Sequence, residues 1–148
     1  MDAGFAAHIA LFTSLFFTAL TVGAMAYFGA GVAPVVFRTL GEEKAGPVVR
    51  AMFPVYYLVL GITTLLAAIP AFLVNVAAGI VLIVVAGGFA FARQIMMPRI
   101  NALRDEMNRG STVATSAFDA LHSWSVRMNM LQLIILLIVF WFLALSVG

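Results

Sequence analysis

The strongest candidate for chemistry in this chain is a set of polar side chains in its apolar carboxyl-terminal segment. We call this set the polar stripe; its members are His122, Ser125, Asn129 and Gln132. They are spaced i, i+3, i+7 and i+10, which on a helix places them within an arc of about 80°. Because polar groups in hydrocarbon turn toward protein partners, we expect the polar stripe to face inward. Together with Arg93 and Tyr56 it forms the candidate ligand-binding set.

The polar stripe has two interpretations. Its groups could form hydrogen bonds between helices and fix their register, at about 0.6 kcal/mol each. Alternatively, they could line a polar cavity, open to the cytoplasm, that binds a headgroup, a quinone or a small solute. No Asp or Glu lies in the apolar segments of the chain, which argues against proton-coupled transport and carboxylate acid–base chemistry. We therefore predict no catalytic residues.

Haem and metal sites are poorly supported by the sequence. His8 begins the first apolar segment and His122 begins the last. An odd number of membrane crossings would separate them, so one haem could not be held by both histidines. A single-ligand haem at His122 and a bound quinone stay open. The chain has no cysteine, and neither Met96/Met97 nor Met128/Met130 is spaced to place both sulfurs on one helix face, so we predict no metal site.

The elements that would carry these residues are membrane-spanning helices. Of the 148 residues, 64% are hydrophobic and 9% are charged, against about 25% charged in soluble domains. This composition excludes a water-soluble globule. A bilayer core needs about 20 helical residues per span, and the uncharged stretch 51–92 is long enough for two spans with a turn at 74–77.

The sequence therefore predicts an all-α polytopic membrane protein, an antiparallel four-helix transmembrane bundle that forms a single domain, 1–148. The predicted spans are 5–38, 50–74, 76–98 and 119–146. We expect the helices to extend beyond the bilayer on the cytoplasmic side. Gly41 and Gly110 should end the extended helices, and Ser116 with Asp119 resembles a cap for the last one.

Orientation follows from the basic residues. All eight lie in or beside the connections after the first and third predicted spans: Arg38, Lys44, Arg50, Arg93, Arg99, Arg104, Arg109 and Arg127. Because basic residues near span ends stay in the cytoplasm, both termini should be periplasmic or exterior in a bacterial inner membrane. This topology explains the basic isoelectric point of about 9.5 better than nucleic acid does, so we expect no nucleic-acid partner. Arg99, Arg127 and Trp124 are the predicted headgroup contacts.

Small residues at helical spacing in the first span predict close helix packing. They are Ala19, Gly23, Ala26, Ala30 and Ala33. Stripes of small residues let helix backbones approach each other in lipid. The alternative is that alanine and glycine are simply common in this apolar chain.

Short motifs flank the predicted spans. They are Ala33-Pro34-Val35-Val36-Phe37, Ala45-Gly46, Phe53-Pro54-Val55-Tyr56, Pro98-Arg99-Ile100-Asn101, Phe118, Leu121-His122-Ser123-Trp124-Ser125-Val126, Asn129 and Gln132. In these residues the chain resembles the transmembrane protein 205-like family of small four-span membrane proteins, whose bacterial members are catalogued as a domain of unknown function. The resemblance implies an α-helical membrane domain and brings no activity, cofactor or catalytic residue.

Three classes of function are compatible with the sequence. The first is a non-catalytic accessory subunit, scaffold or binding protein of a larger membrane complex, and the absence of a catalytic set favours it. The second is a transporter module for a small solute or a lipophilic ligand. The third is a membrane enzyme acting on a lipid-soluble substrate at a cytoplasmic-side polar cavity. The expected partners are the lipid bilayer and either other membrane subunits or further copies of this chain.

Overall fold

The structure is a computed structural model that describes residues 3–146, and nearly all of these are helical. The α-helices are α1 (Ala3–Ala26), α2 (Ala33–Val74), α3 (Val76–Phe91), α4 (Met97–Met107) and α5 (Thr112–Leu145). Two π-helical turns, Tyr27–Val32 and Ala92–Met96, join α1 to α2 and α3 to α4. No strand occurs within the described part of the chain, so the predicted all-α class is confirmed.

Three continuous helical stretches are long and apolar enough to cross a membrane. They are Gly4–Val74, Val76–Met107 and Thr112–Leu145. Large apolar side chains are exposed along their outer surfaces, among them Phe16, Leu73 and Trp141. A soluble protein rarely exposes a continuous apolar surface of this kind. The molecule therefore has the features of a membrane protein.

The first stretch is kinked at Gly41. This glycine has φ 70° and ψ 164° inside the helical run of α2, a conformation that is essentially restricted to glycine. Beyond the kink α2 packs against α1, where the hydroxyl oxygens of Thr21 and Thr63 lie at a hydrogen-bond distance of 2.8 Å. The prediction that Gly41 interrupts the first helix is confirmed.

Asn75 separates α2 from α3, as predicted for the turn at 74–77. Its backbone is extended, with φ −156° and ψ 117°, and its side-chain oxygen accepts from the backbone N–H of Ala78 at 3.0 Å. This bond satisfies one of the amide groups that every helix start leaves without an intrahelical partner. The turn is short because a single capping residue both ends one helix and begins the next.

The predicted cap of the last helix at Ser116 is wrong. Helix α5 begins at Thr112, and its cap is Ser111, whose hydroxyl accepts from the N–H of Ala114 at 3.2 Å. Gly110, with φ 93°, reverses the chain after α4 and leaves Ser111 in the extended conformation that a cap requires. Ser116 lies within the helix, where its hydroxyl donates to the carbonyl of Val113 at 3.0 Å.

The face by which α1 is buried also differs from the prediction. Ala19, Gly23, Ala26 and Ala30 of the small-residue stripe are exposed. Instead, Ser14, Thr18 and Thr21 are completely buried. The two threonines can occupy this face because their hydroxyls donate to carbonyls of their own helix, those of Ser14 and Phe17, at 2.8 and 2.9 Å.

An ion pair joins α2 to α4. The Arg50 guanidinium donates to both carboxylate oxygens of Asp105, at 2.6 and 3.1 Å. We call the end of the molecule that contains this pair the basic end. Helix α4 extends the Val76–Met107 stretch to this end, so the prediction that helix continues beyond residue 98 is confirmed.

Candidate functional site

A cavity of about 250 Å³ opens at the basic end between α2, α4 and α5. We call it the basic-end cavity. Its apolar wall is formed by Ala33, Phe37, Gly46, Val49, Phe53, Met97, Ile100 and Val126. Its polar wall is formed by Arg50, Tyr57, Asn101, Arg104, His122, Ser125 and Asn129. A mostly apolar cavity with a few convergent polar groups is typical of a site for a small organic ligand.

The polar stripe contributes three of these residues, His122, Ser125 and Asn129, and its binding of a ligand stays a prediction. Ser125 is buried, and its hydroxyl donates to the carbonyl of His122 at 2.7 Å. The His122 ring lies parallel to that of Phe118, with 5.6 Å between the ring centroids. His122 itself is exposed, so it lies where the cavity meets the surroundings.

Asn129 has an incomplete set of hydrogen bonds. Its side-chain N–H donates to the hydroxyl of Tyr56 at 3.2 Å. Its Oδ1 atom is buried, and no donor in the described residues reaches it. Leaving a buried carbonyl oxygen unpaired costs about 1–3 kcal/mol. Asn129 is also one of the residues that line the basic-end cavity.

Gln132 lies deeper along α5 and does not line the basic-end cavity. Its side-chain N–H donates to the carbonyl of Val85 at 3.2 Å, which ties α5 to α3. Gly88 makes room for this contact, since a Cβ atom there would lie 2.6 Å from Gln132 Nε2. Gln132 Oε1 also finds no donor among residues 3–146.

Arg93 is not brought to the cavity. Its Nε donates to the backbone carbonyl of Pro54 at 3.0 Å, so it joins the end of α3 to α2. Tyr56 does not line the cavity, although its hydroxyl accepts a hydrogen bond from Asn129. The neighbouring Tyr57 lines the cavity instead. Tyr57 is buried and stacks on Phe53, with ring centroids 5.7 Å apart.

The predicted headgroup contacts lie on the surface. Arg99, Arg127 and Trp124 are exposed, and none of them lines the basic-end cavity. Their contact with lipid headgroups stays a prediction. Within the described part of the chain, no group of three or more His, Cys, Asp or Glu side chains could hold a metal ion.

Sequence reasoning missed the contribution of α4 to the site. Arg104 lies with its guanidinium carbon 5.0 Å from the centroid of the Phe118 ring. Its Nη1 approaches Gly46, where a Cβ atom would lie 2.9 Å away. The spacing of Asn101 and Arg104, three residues apart on one helix, was the signal that could have placed both on the same face.

A second cavity of about 690 Å³ adjoins the first at the basic end. The two share Phe37, Gly46, Arg50 and Arg104 in their walls. The adjoining cavity is also lined by the carboxylates of Glu42 and Glu43. Charge therefore differs between them: the basic-end cavity has two guanidinium groups and no carboxylate in its wall.

Comparison with known families gives one match, to a family of unknown function. Residues 16–109, more than half of the chain, match the family described as Domain of unknown function (DUF4149). The chain belongs to the DUF4149 family. No curated protein and no solved structure matches the chain significantly. The link to transmembrane protein 205 stays a resemblance.

The DUF4149 match covers only part of the basic-end cavity. It runs from within α1 to just beyond α4 and so includes Gly46, Arg50 and Arg104. His122, Ser125 and Asn129 on α5 lie outside the matched region. The family assignment consequently gives no ligand for the cavity.

Proposed function

We propose that this DUF4149 protein binds a small amphipathic ligand in the basic-end cavity, as a non-catalytic binding or accessory protein of a membrane complex. The observation that carries the proposal is Asn129, whose buried Oδ1 lacks a donor among residues 3–146 beside an otherwise mostly apolar cavity. An apolar molecule with one hydroxyl or amide group would fill the cavity, and a rotation of the Asn129 side chain would let its buried Oδ1 accept from that group.

The proposed architecture is an antiparallel four-helix bundle in a bacterial inner membrane. The kink at Gly41 and the Thr21–Thr63 bond support two spans within the first helical stretch, residues 4–74. The location of all eight basic residues near one end supports a cytoplasmic position for the basic end, with both termini outside. The cavity would then open near the inner headgroups, where amphipathic molecules concentrate.

The composition of the cavity wall favours binding over catalysis. Ser125 is the wall's only aliphatic hydroxyl, and it donates to the backbone carbonyl of His122 rather than to a side-chain base. A nucleophile needs an adjacent base to be activated. Asn129 and Asn101 hold no proton that could be transferred at neutral pH, so these two groups suit recognition of a ligand.

Native mass spectrometry of the full chain, released from membranes in a mild detergent, tests this proposal. We expect the wild-type protein to retain a small molecule. Ala33→Phe, which fills the cavity from α2, should release it. Ala30→Phe is the matched control, because Ala30 is exposed and lies outside the cavity wall. A wild-type protein without any bound molecule, or equal retention by both variants, would show that the proposal is wrong.

A further inference from the structure

We infer that the ligand of the basic-end cavity is an amphiphile with an anionic oxygen headgroup, such as a phosphate ester, that binds the Arg104 guanidinium. This inference rests on the proposed function and adds the chemical class of the ligand. It depends on three features of the cavity: the charge of its wall, the way Arg104 is held, and the apolar groups that line the wall together with Arg104.

The charge of the wall is positive. The wall contains two arginine side chains, Arg50 and Arg104, and no Asp, Glu or Lys. Asp105 pairs with Arg50, and this is the single ion pair in residues 3–146, so Arg104 has no carboxylate partner there. A guanidinium group offers five N–H donors and matches the two oxygens of a phosphate or carboxylate.

Arg104 is held in place before any ligand arrives. Its guanidinium lies over the Phe118 ring at 5.0 Å, a distance at which a cation is attracted to the face of the ring. On another side, Gly46 admits Nη1 to a position only 2.9 Å from where a Cβ atom would lie. A guanidinium that is already positioned loses less conformational freedom when it binds an anion.

The apolar part of the wall favours an amphiphile over a free anion. Phe37, Phe53 and Ile100 line the same cavity as Arg104, so an alkyl chain and an anionic headgroup could bind together. Glu42 and Glu43 line the adjoining cavity, where their charges would repel an anion that arrives from solvent. Entry from the membrane avoids this repulsion.

Titration calorimetry on the full chain in a nonionic detergent tests the inference with a matched pair of probes. Decanoyl lysophosphatidic acid and monodecanoylglycerol share the same chain and differ in the phosphate group. We expect the phosphate-bearing probe to bind at least about tenfold more tightly than the neutral one. Inorganic phosphate alone should bind far more weakly than the phosphate-bearing probe, because it cannot fill the apolar part of the cavity.

Two substitutions connect binding to Arg104. Arg104→Gln should weaken binding of decanoyl lysophosphatidic acid about tenfold or more. Gly46→Ala should also weaken it, because its Cβ would displace the guanidinium while leaving the charge. Arg109→Gln is the control. Arg109 is basic like Arg104, but it is exposed and lies outside the cavity wall, so the affinity should not change. Thermal unfolding of each variant verifies that it is folded.

The outcomes separate the inference from the proposed function. If both decanoyl probes bind equally and Arg104→Gln changes neither affinity, the inference of an anionic headgroup is wrong. The proposed function, a cavity that binds amphipathic molecules, would remain. If inorganic phosphate binds as tightly as the phosphate-bearing probe, the inference that the ligand is an amphiphile is wrong, and a free anion is the ligand. No binding of any probe, together with no retained molecule in the native protein, would overturn both.

Discussion

At the scale of single residues, two adjacent glycines of α3 differ in what surrounds them. A Cβ atom at Gly88 would lie 2.6 Å from Gln132 Nε2, whereas a Cβ at Gly87 would meet nothing within 4 Å. Both substitutions to alanine bring the same gain in helix propensity. We expect Gly88→Ala to be less stable than Gly87→Ala by about 1 kcal/mol, because Gln132 must give up its bond to Val85. The free energy of unfolding in lipid bicelles measures this difference.

Removing the Gln132 amide provides the control for this experiment. In a Gln132→Ala background, Gly88→Ala and Gly87→Ala should have nearly equal stability, because no side-chain amide remains to be displaced. If the difference between the two glycines persists in that background, Gly88 is required for some other reason and the close contact with Gln132 is not the cause.

Much of the site could be predicted at this scale, but not all of it. The spacing of His122, Ser125 and Asn129 was sufficient to place them on one helix face, because a helix fixes the angle between its own residues. The contribution of Arg104 could not be predicted in the same way. It depends on the approach of α4 to Gly46 of α2, and the distance between two separate helices is set by packing rather than by spacing within either one.

At the scale of elements, the kink at Gly41 depends on glycine's conformational freedom. Its φ of 70° with ψ 164° strains any residue that has a Cβ atom. A side chain there would meet nothing within 4 Å, so the cost is conformational only. We expect Gly41→Ala to lower the free energy of unfolding by about 1–3 kcal/mol. Gly23→Ala, at an exposed helical position, is the control and should not lower it; equal effects would contradict the account.

The ion pair between α2 and α4 predicts a dependence of stability on pH. Asp105 lies beyond the proposed span 76–98, and its hydrogen bond from the Arg50 guanidinium holds the pKa of that carboxyl below its usual value. A carboxyl whose pKa is lower in the folded state stabilises the fold above its unfolded pKa of about 3.9. This contribution is lost as the pH falls through the folded value.

Comparison with Asp105→Asn isolates this contribution from that of the other carboxyl groups. We expect the wild-type protein to be more stable than the variant near neutral pH, and the difference to shrink on acidification below about pH 4. Thermal unfolding at a series of pH values measures it. A difference that stays constant between neutral and strongly acidic pH would show that the charge of Asp105 contributes nothing.

The errors of prediction at the element scale have a common physical cause. Ser116 and Ser111 both have a side chain that can cap a helix, but only Ser111 follows the positive-φ Gly110 and adopts an extended backbone. Similarly, Gly23 has the small size that close packing favours, yet Thr18 is the buried residue. Residue type restricts what a position can do, and the path of the backbone decides which of several competent residues does it.

At the scale of the whole molecule, the proposed topology predicts the location of each connection. Reporter fusions after Gly148 should behave as periplasmic, whereas reporters inserted at Glu43 or Arg109 should behave as cytoplasmic. The reason is that the basic residues lie in or beside the two connections that contain Glu43 and Arg109. An active cytoplasmic reporter at the carboxyl terminus would contradict the proposed orientation, and if the reporters at Glu43 and Arg109 were cytoplasmic as well, it would also contradict the count of four spans.

The measurement that tests the central proposal most directly is an experimental structure of the full chain in native lipid. We expect density for a bound molecule in the cavity between Asn129 and Arg104, with a donor within hydrogen-bond distance of Asn129 Oδ1. The opposite result would be a closed cavity in which α2 and α5 are in direct contact and Asn129 Oδ1 accepts from a protein group. That arrangement would leave no space for a ligand and would contradict the proposed binding function.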